Sequence, residues 1–553
     1  MFQNFIKMTK GYGLTDLRDD LLAGLSVATI ALPQNMAYAL IVGVDPVYGL
    51  YTSIVSMIVA TFVGVSNYMV VGPANMIALA IASSLAAFEG INYLQGVLLL
   101  TMMVGLIQII LGVLKLGDLV KYVSHSVIVG LTTGVALMIG IGQLGSFLGV
   151  AVESSTNIFI TVYRLGINLD QLNYYSVAIG SLAMIIIIIS KQIDSRLPSY
   201  LLAVVVSMLV TYFFNLDQEL KVINQFSSSL PSFSPVKFDL TLVRQLFISA
   251  LSIAILGFIQ VVSIVKSLEK ETGQEVDLNR EFIGQGIINT VCSFFSSFAI
   301  SGSFTNSFAN YEAGAKTRFS ELIIALVMLL FILLLNSLVE YIPVAALAAI
   351  VIIVAYNMID ITEIVKTFRT TKYDAVVLST TLLTTILAPR LDYAIYLGVL
   401  ISTIIVLKDT SDINYSHISY EQEKSKFVDQ DFEEVKNDEL IVINLAGNLN
   451  FNTSENLKEE LDESFQENKI FVIRTRDVES IDFTTIRELD NFIDRVQRYG
   501  GEVMICGLGD DIFDPLEESG VIDKVNRSNV FKADDYIFSS TQEAINEAED
   551  RQN

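Results

Sequence analysis

The chain has 553 residues, 52% of them hydrophobic and 17% charged, with a mean hydropathy of +0.55, no Trp and a formal net charge of −24. Such a chain is too apolar for an ordinary soluble domain, and its acidity excludes the basic patches that nucleic-acid binding requires. The charge is also divided: 35 of the 59 acidic residues but only 14 of the 35 basic ones lie from Asp409 onward, so a nearly neutral apolar part precedes a strongly acidic soluble one.

Residues 1–20 form a polar N-terminal segment, expected in the cytoplasm. The apolar run behind it has no small-residue cleavage pattern and reads as an uncleaved first membrane span. Runs of spanning length then recur over 21–408, at about 21–40, 47–65, 74–88, 94–114, 127–148, 174–190 and 198–214. After a polar break come 243–265, 282–298, 304–315, 319–337, 342–358, 373–388 and 391–407. With the N-terminus inside, the inner loops collect 16 basic residues, Arg318 among them, and the outer loops five. That asymmetry follows the positive-inside rule and leaves the tail in the cytoplasm after an even number of spans.

Two stretches break the apolar pattern in corresponding places. Val71-Gly72-Pro73-Ala74-Asn75-Met76 puts a Gly-Pro pair directly before an apolar helix. Gly302-Ser303-Phe304-Thr305-Asn306, in the second half, is rich in residues that a lipid-facing helix does not tolerate. Both read as helices that begin in mid-membrane, where free N–H groups and two positive dipole ends make an anion site without a basic side chain. Seven spans per half invert the second half relative to the first. Repeats at about 21–214 and 243–407, with broken helices at matching positions, are the pattern of secondary transporters.

Residues 409–436 read as a linker and 437–553 as a small α/β domain, with strands at 440–445, 470–473 and 502–506 and helices between and after them. Cys292 and Cys506 are too few and too far apart for a disulfide framework, and no metal-ligand spacing is present. No nucleophile–base or phosphate-loop motif appears, so neither an enzyme nor a cofactor or metal requirement is expected.

Pro33-Gln34-Asn35-Met36-Ala37-Tyr38-Ala39, Pro46-Val47-Tyr48-Gly49-Leu50-Tyr51, Val71-Gly72-Pro73 and Asn310-Tyr311-Glu312-Ala313-Gly314-Ala315-Lys316-Thr317 resemble the sulfate permease (SulP) family over almost the whole chain. The tail resembles the STAS domain that this family carries. The resemblance implies an α-helical membrane protein with a UraA-like 7+7 inverted repeat of 14 spans, a core domain moving against a gate domain, and a cytoplasmic α/β STAS domain. It implies a multi-pass homodimer in the plasma (inner) membrane, with both termini cytoplasmic, whose STAS domain meets a cytoplasmic partner. The implied activity is secondary active transport of sulfate, bicarbonate, chloride or dicarboxylate by elevator-like alternating access.

Carried over by position, the substrate-binding residues are Gln34 and Tyr38 on the first span and Ala74, Asn75 and Met76 at the start of the third. Gln260 joins them from the eighth, and Ser303, Phe304, Thr305 and Asn306 from the start of the tenth. Many family members have an acid at the position of Gln260, tied to proton or sodium coupling, and Arg at that of Asn306; here both are neutral. An uncoupled, channel-like anion pathway and an anion sensor signalling through the STAS domain are therefore the rival expectations. Glu312 is placed to pair with Lys316, four residues on. In the tail, Thr484 matches the position phosphorylated in anti-sigma-factor antagonists, but Phe483 and Thr485 depart from that pattern and a plain helix start is the favoured reading.

Overall fold

A computed structural model of the chain describes residues 12–86, 92–115, 124–151, 158–194, 197–223, 230–388, 390–409, 414–421, 426–430, 440–534, 536 and 538–552. The chain folds into two compact units, Met1–Ser402 and Thr403–Asn553.

In the first unit a helix meets each expected span. They are α1 Leu14–Val42, α2 Pro46–Val63, α3 Asn75–Leu85, α4 Tyr93–Val113, α5 His125–Gly142, α6 Tyr174–Ile193 and α7 Ser199–Phe213. The second half repeats them as α8 Leu240–Thr272, α9 Leu278–Cys292, α10 Phe304–Glu312, α11 Phe319–Val339, α12 Val344–Met358, α13 Lys372–Leu387 and α14 Leu391–Asp409. Residues 87–88, expected at the end of the third span, lie outside the described residues. The helices α3 and α10, 11 and 9 residues long, rise roughly 17 and 14 Å, about half of the 30 Å bilayer core. Ahead of each runs a short strand, β1 Val71–Gly72 and β2 Ser301–Gly302, and the two pair antiparallel. Antiparallel pairing is what two inverted halves produce where they meet, and it satisfies backbone groups that lipid would leave unpaired.

Two expectations change at the start of this unit. The segment 1–20 is not all a polar tail, because α1 already begins at Leu14, its first turn stabilised by the Gly13 N–H donating to Asp16. Asp20, fully buried, accepts from the backbone N–H groups of Lys316 (2.6 Å) and Thr317 (2.9 Å), from the Thr317 hydroxyl and from Tyr12. The 310–319 segment is therefore held by α1 and not by the expected Glu312–Lys316 pair, which does not form; Glu312 is exposed.

Close helix contacts fix the packing around the broken helices. A Cβ on Gly105 would lie 2.7 Å from the Gly286 carbonyl, and one on Gly286 2.7 Å from the Gly105 carbonyl, so α4 and α9 meet backbone to backbone. Gly49 likewise lets α2 rest on the Asn35 carbonyl of α1.

In the second unit, strands β3 Asn414–Glu421, β4 Lys426–Gln430, β5 Leu440–Leu449, β6 Ile470–Ile481, β7 Glu502–Leu508 and β8 Val530–Lys532 form one sheet in the order β4-β3-β5-β6-β7-β8. The last four are parallel and β3 is antiparallel to both its neighbours. Alternation in β5 sends Ile441, Ile443 and Leu445 to one face, against Leu457, Leu489 and Leu516. These come from α15 Ser454–Ser464, α16 Phe483–Arg498 and α17 Asp510–Glu518. Val442 turns to the other face, with Ala544 and Ala548 of α18 Ser539–Gln552. Cys506 lies in that second cluster, where burial pushes its thiol up to about 11, and both cysteines are free.

The expected linker 409–436 is corrected by this sheet. Helix α14 runs to Asp409, and 414–421 with 426–430 form a hairpin that extends the sheet; the remaining residues of the stretch lie outside the described ones. A polar, charged hairpin carries little hydrophobic signal of its own and is held by pairing with β5, from Asn414 against Ala446 to His417 against Ile443. Strand β6 similarly runs eight residues past its expected end because it stays paired with β5 to Ile481.

Because the charge and hydropathy shift at Asp409 falls just past the division between the units at Ser402, removal of everything after Lys408 is expected to leave a folded membrane unit. A single symmetric peak in detergent size-exclusion chromatography is the expected result. Aggregation of the truncated chain where the full chain stays monodisperse would refute it.

Candidate functional site

The two half-helices are built by local sequence and fastened to each other. Ala74 caps α3 in an extended conformation, with its carbonyl accepting from Ala78 at 2.8 Å. Ser303 caps α10, its hydroxyl accepting from the Asn306 N–H at 3.4 Å. The Ser303 N–H donates to the Val70 carbonyl at 2.9 Å, while the Ser307 hydroxyl accepts from the Val70 N–H at 2.9 Å and donates back to the Ser303 carbonyl. The start of α10 is thus locked to the strand that leads into α3. In the first turns the Asn306 N–H is taken by the Ser303 cap and the Met76 N–H by the side-chain oxygen of Asn75 at 2.8 Å; the other first-turn N–H groups have no backbone acceptor within their own helix, as at any helix start.

Both starts open on one cavity of about 340 Å³. Of the ten residues expected at the site, eight line it: Tyr38, Ala74, Asn75, Met76, Gln260, Ser303, Phe304 and Thr305. Gln34 and Asn306 do not. Both are buried, 1% and 2% exposed, and the side-chain oxygen of each is sealed from solvent without a hydrogen-bond partner. Gln34 sits one helical turn before Tyr38, and Asn306 gives its backbone N–H to the Ser303 cap, so both stand next to lining residues and not in the wall.

Gln260 presents an amide from α8, with its Oε1 also unpartnered. Phe304 stacks on Phe308 at 4.6 Å between ring centroids and remains half exposed toward the cavity. The opposite wall comes from α5, α7, α12 and α14 and was not legible in the sequence. It supplies Thr132, Tyr200 and Asn357 as polar groups among Val127, Leu131 and Ile395. Those residues sit in ordinary apolar helices and carry no local signal of their own. The Asn75 amide donates to the Met358 sulfur at 2.6 Å, so the start of α3 touches α12.

No described lining residue carries a charge. What the site offers is amide and hydroxyl donors together with the positive ends of two helices, inside a mostly apolar enclosure. That is suited to a small anion, which helix N-termini bind without a counter-charge. Among the described residues no group of three or more His, Cys, Asp or Glu side chains stands ready for a metal.

Elsewhere, His125 at the start of α5 lies 3.6 Å from Glu363, on the exposed helix Ile361–Thr370, outside the cavity. In the second unit Thr484 is exposed at the second position of α16. There Asp482 caps the helix, accepting from the Thr485 N–H at 2.9 Å.

The Sulfate permease family model matches residues 17–381, and the STAS domain model residues 431–544. The "Putative sulfate transporter YvdB" of Bacillus subtilis (strain 168) is 27% identical over 533 residues, 96% of this chain and 98% of that protein. "Sulfate transporter 4.1, chloroplastic" of Arabidopsis thaliana is 31% identical over 367 residues, 64% of this chain and 53% of the plant protein, so this chain spans about half of that relative. Among solved structures, the murine Slc26a9 anion transporter in the inward-facing state superposes with a TM-score of 0.88 at 22% identity, covering 99% of this chain and 94% of that one. The transmembrane domain of a cyanobacterium bicarbonate transporter, BicA, gives 0.61 at 26% identity over 71% of this chain and 98% of its own.

Proposed function

Since the chain belongs to the sulfate permease family and ends in a STAS domain, we propose that it carries small anions across the plasma membrane by secondary active transport. The substrate class is that of sulfate, bicarbonate, chloride or a dicarboxylate. One observation carries the reading: two inverted half-helices, fastened to each other through β1 and β2, open on a single cavity without charge. The donors lie unevenly in that cavity. The two helix starts and Gln260 belong to α3, α10 and α8, whereas the facing wall is largely apolar. An anion bound to the first set moves with it when that set slides against the second, which is the elevator form of alternating access.

The distribution of basic residues supports cytoplasmic termini and a cytoplasmic STAS domain, with a homodimer as the assembly and a cytoplasmic protein as the STAS partner. Thr484, exposed at a helix start, is the residue through which phosphorylation would act on that partner. The set of Gln34, Tyr38, Ala74, Asn75, Met76, Gln260, Ser303, Phe304, Thr305 and Asn306 is retained as the anion site. Gln34 and Asn306 act in it by positioning the lining residues beside them.

A second reading, an uncoupled pathway, draws on the neutrality of Gln260. Purified protein in proteoliposomes, offered labelled sulfate, bicarbonate, chloride and a dicarboxylate in turn, tests both. Saturable uptake of at least one anion, accumulated against its gradient when a proton or sodium gradient is imposed, is expected. Uptake that only equilibrates points to the uncoupled pathway. Anion binding with no flux would leave a sensor and overturn transport.

A further inference from the structure

The described walls of the anion cavity hold no acidic or basic side chain, yet α9, the start of α11 and the 64–71 segment enclose three charged residues that anion binding does not use. Arg318, Glu281 and Glu321 are 2%, 1% and 1% exposed. Glu281, in the first turn of α9, is well satisfied: it accepts from the Val65 N–H (2.8 Å), the Ser66 N–H (3.2 Å) and the Gln285 amide (3.2 Å). Glu321, in the first turn of α11, accepts a single described hydrogen bond, from the Val71 N–H at 3.3 Å. Arg318 stands in the field of both carboxylates, but among the described residues it forms an ion pair with neither. Its Nη1 donates to the Gly64 carbonyl, and its buried Nε has no partner.

The other elements packed on α11 add little charge. Asp20 of α1 is committed to Lys316, Thr317 and Tyr12, and α2 contains no acidic or basic residue.

We propose that Glu321 is a proton-binding site that links anion transport to protons, taking the part that Gln260 cannot take in the cavity. The proposal rests on the transport reading above. Two carboxylates and one guanidinium leave one uncompensated negative charge out of water, and a single proton removes it. Glu321 is the acceptor of that proton because Glu281 already has three donors committed to its charged form. The position gives the linkage. Val71, which Glu321 holds, lies in β1, and three residues of extended chain, roughly 10 Å, lead from it to the start of α3. At that separation and an effective dielectric of about 20, an anion at the helix start raises the proton affinity of Glu321 on the order of tenfold. The proton raises anion affinity by the same factor, as linkage requires. No bond other than the carboxyl O–H is made or broken: the proton comes from solution on loading and returns to solution on release. Glu321 holds Val71 of β1, which leads into α3 and pairs with the β2 strand ahead of α10, so proton and anion travel together.

The test uses the full chain with sulfate, or with chloride if sulfate does not bind. Calorimetry in buffers of different ionisation enthalpy counts protons taken up per anion bound. Net uptake at some pH between about 5 and 8 is expected, and none at any pH overturns the proposal. In proteoliposomes an inward proton gradient should drive accumulation by the wild type. Glu321→Gln, which keeps the shape and removes the titration, should keep anion uptake but lose both the proton count and the response to the gradient. Proton-driven accumulation equal to wild type in that variant overturns the proposal while leaving transport intact. If Glu321→Gln does not fold, Glu321→Asp decides. A displaced pH midpoint of proton uptake supports the site, and an unmoved midpoint overturns it. If neither anion is bound or moved by the wild type, the transport reading falls and the proposal falls with it.

Discussion

Gln260→Glu is expected to weaken anion binding ten- to a hundredfold at about pH 8 and to restore it as the pH falls toward about 5. The substitution keeps side-chain length and places a carboxylate on the wall of a cavity that has no charged lining residue among those described. Two like charges about 5 Å apart at an effective dielectric of about 20 repel by roughly 3 kcal/mol. Part of that is screened because Gln260 is only half buried, which sets the lower end of the range. The sign follows directly. Acid protonates the new carboxyl, the repulsion disappears, and affinity returns; alkali ionises it, and affinity is lost. The quantity to measure is the ratio of variant to wild-type affinity across that pH range, so that any dependence intrinsic to the wild type cancels. A ratio that stays at one throughout would remove Gln260 from the site.

Gly49→Ala is expected to lower stability by about 3 kcal/mol, the upper end of what an overpacked helix contact costs, and to leave little monodisperse protein. A Cβ at this position would lie 1.9 Å from the Asn35 carbonyl oxygen and 2.6 Å from its carbon. Both are backbone atoms of α1, so no side-chain rotation relieves the contact and the two helices must separate. Separation also displaces Tyr38, one turn beyond Asn35 and part of the cavity wall, so any residual folded protein should bind anion poorly. Gly166→Ala is the control, since a Cβ there meets nothing within 4 Å. It should be neutral or slightly stabilising, because Ala favours the helix Ile158–Ile167. Thermal unfolding followed in detergent for both variants separates the cases, and an unchanged midpoint for Gly49→Ala would show that the α1–α2 contact is not rigid.

Several of these features were legible from residue order alone, for physical reasons. Each full span needs about 20 apolar residues because of bilayer thickness, so hydropathy located most of the fourteen helices within a few residues, although α1 begins seven residues before its expected start, α8 ends seven after its expected end and α9 ends six before its own. Gly72-Pro73 and Gly302-Ser303 mark helix starts through backbone chemistry that acts locally, and both starts stand where they were expected. The acidic tail announced itself as a separate unit by charge. What residue order could not supply was everything that depends on which helices become neighbours. A helix turns by about 100° per residue, so membership of a broken-helix motif does not say which side chains face the cavity. Asn306 therefore faces away while Thr305 lines it. Thr132, Tyr200 and Asn357 reach the cavity only because α5, α7 and α12 are brought across from it. Arg318 counted in the sequence as one more loop charge, and Glu281 and Glu321 lie 40 residues apart on separate helices. Only packing of α9, α11 and the 64–71 segment buries the three together. The hairpin 414–430 likewise acquires its strands from β5, a partner that its own polar sequence does not specify. Local backbone and bilayer constraints are written along the chain; contacts between distant segments, which decide where a charge is buried and which wall an anion meets, arise only in the folded protein.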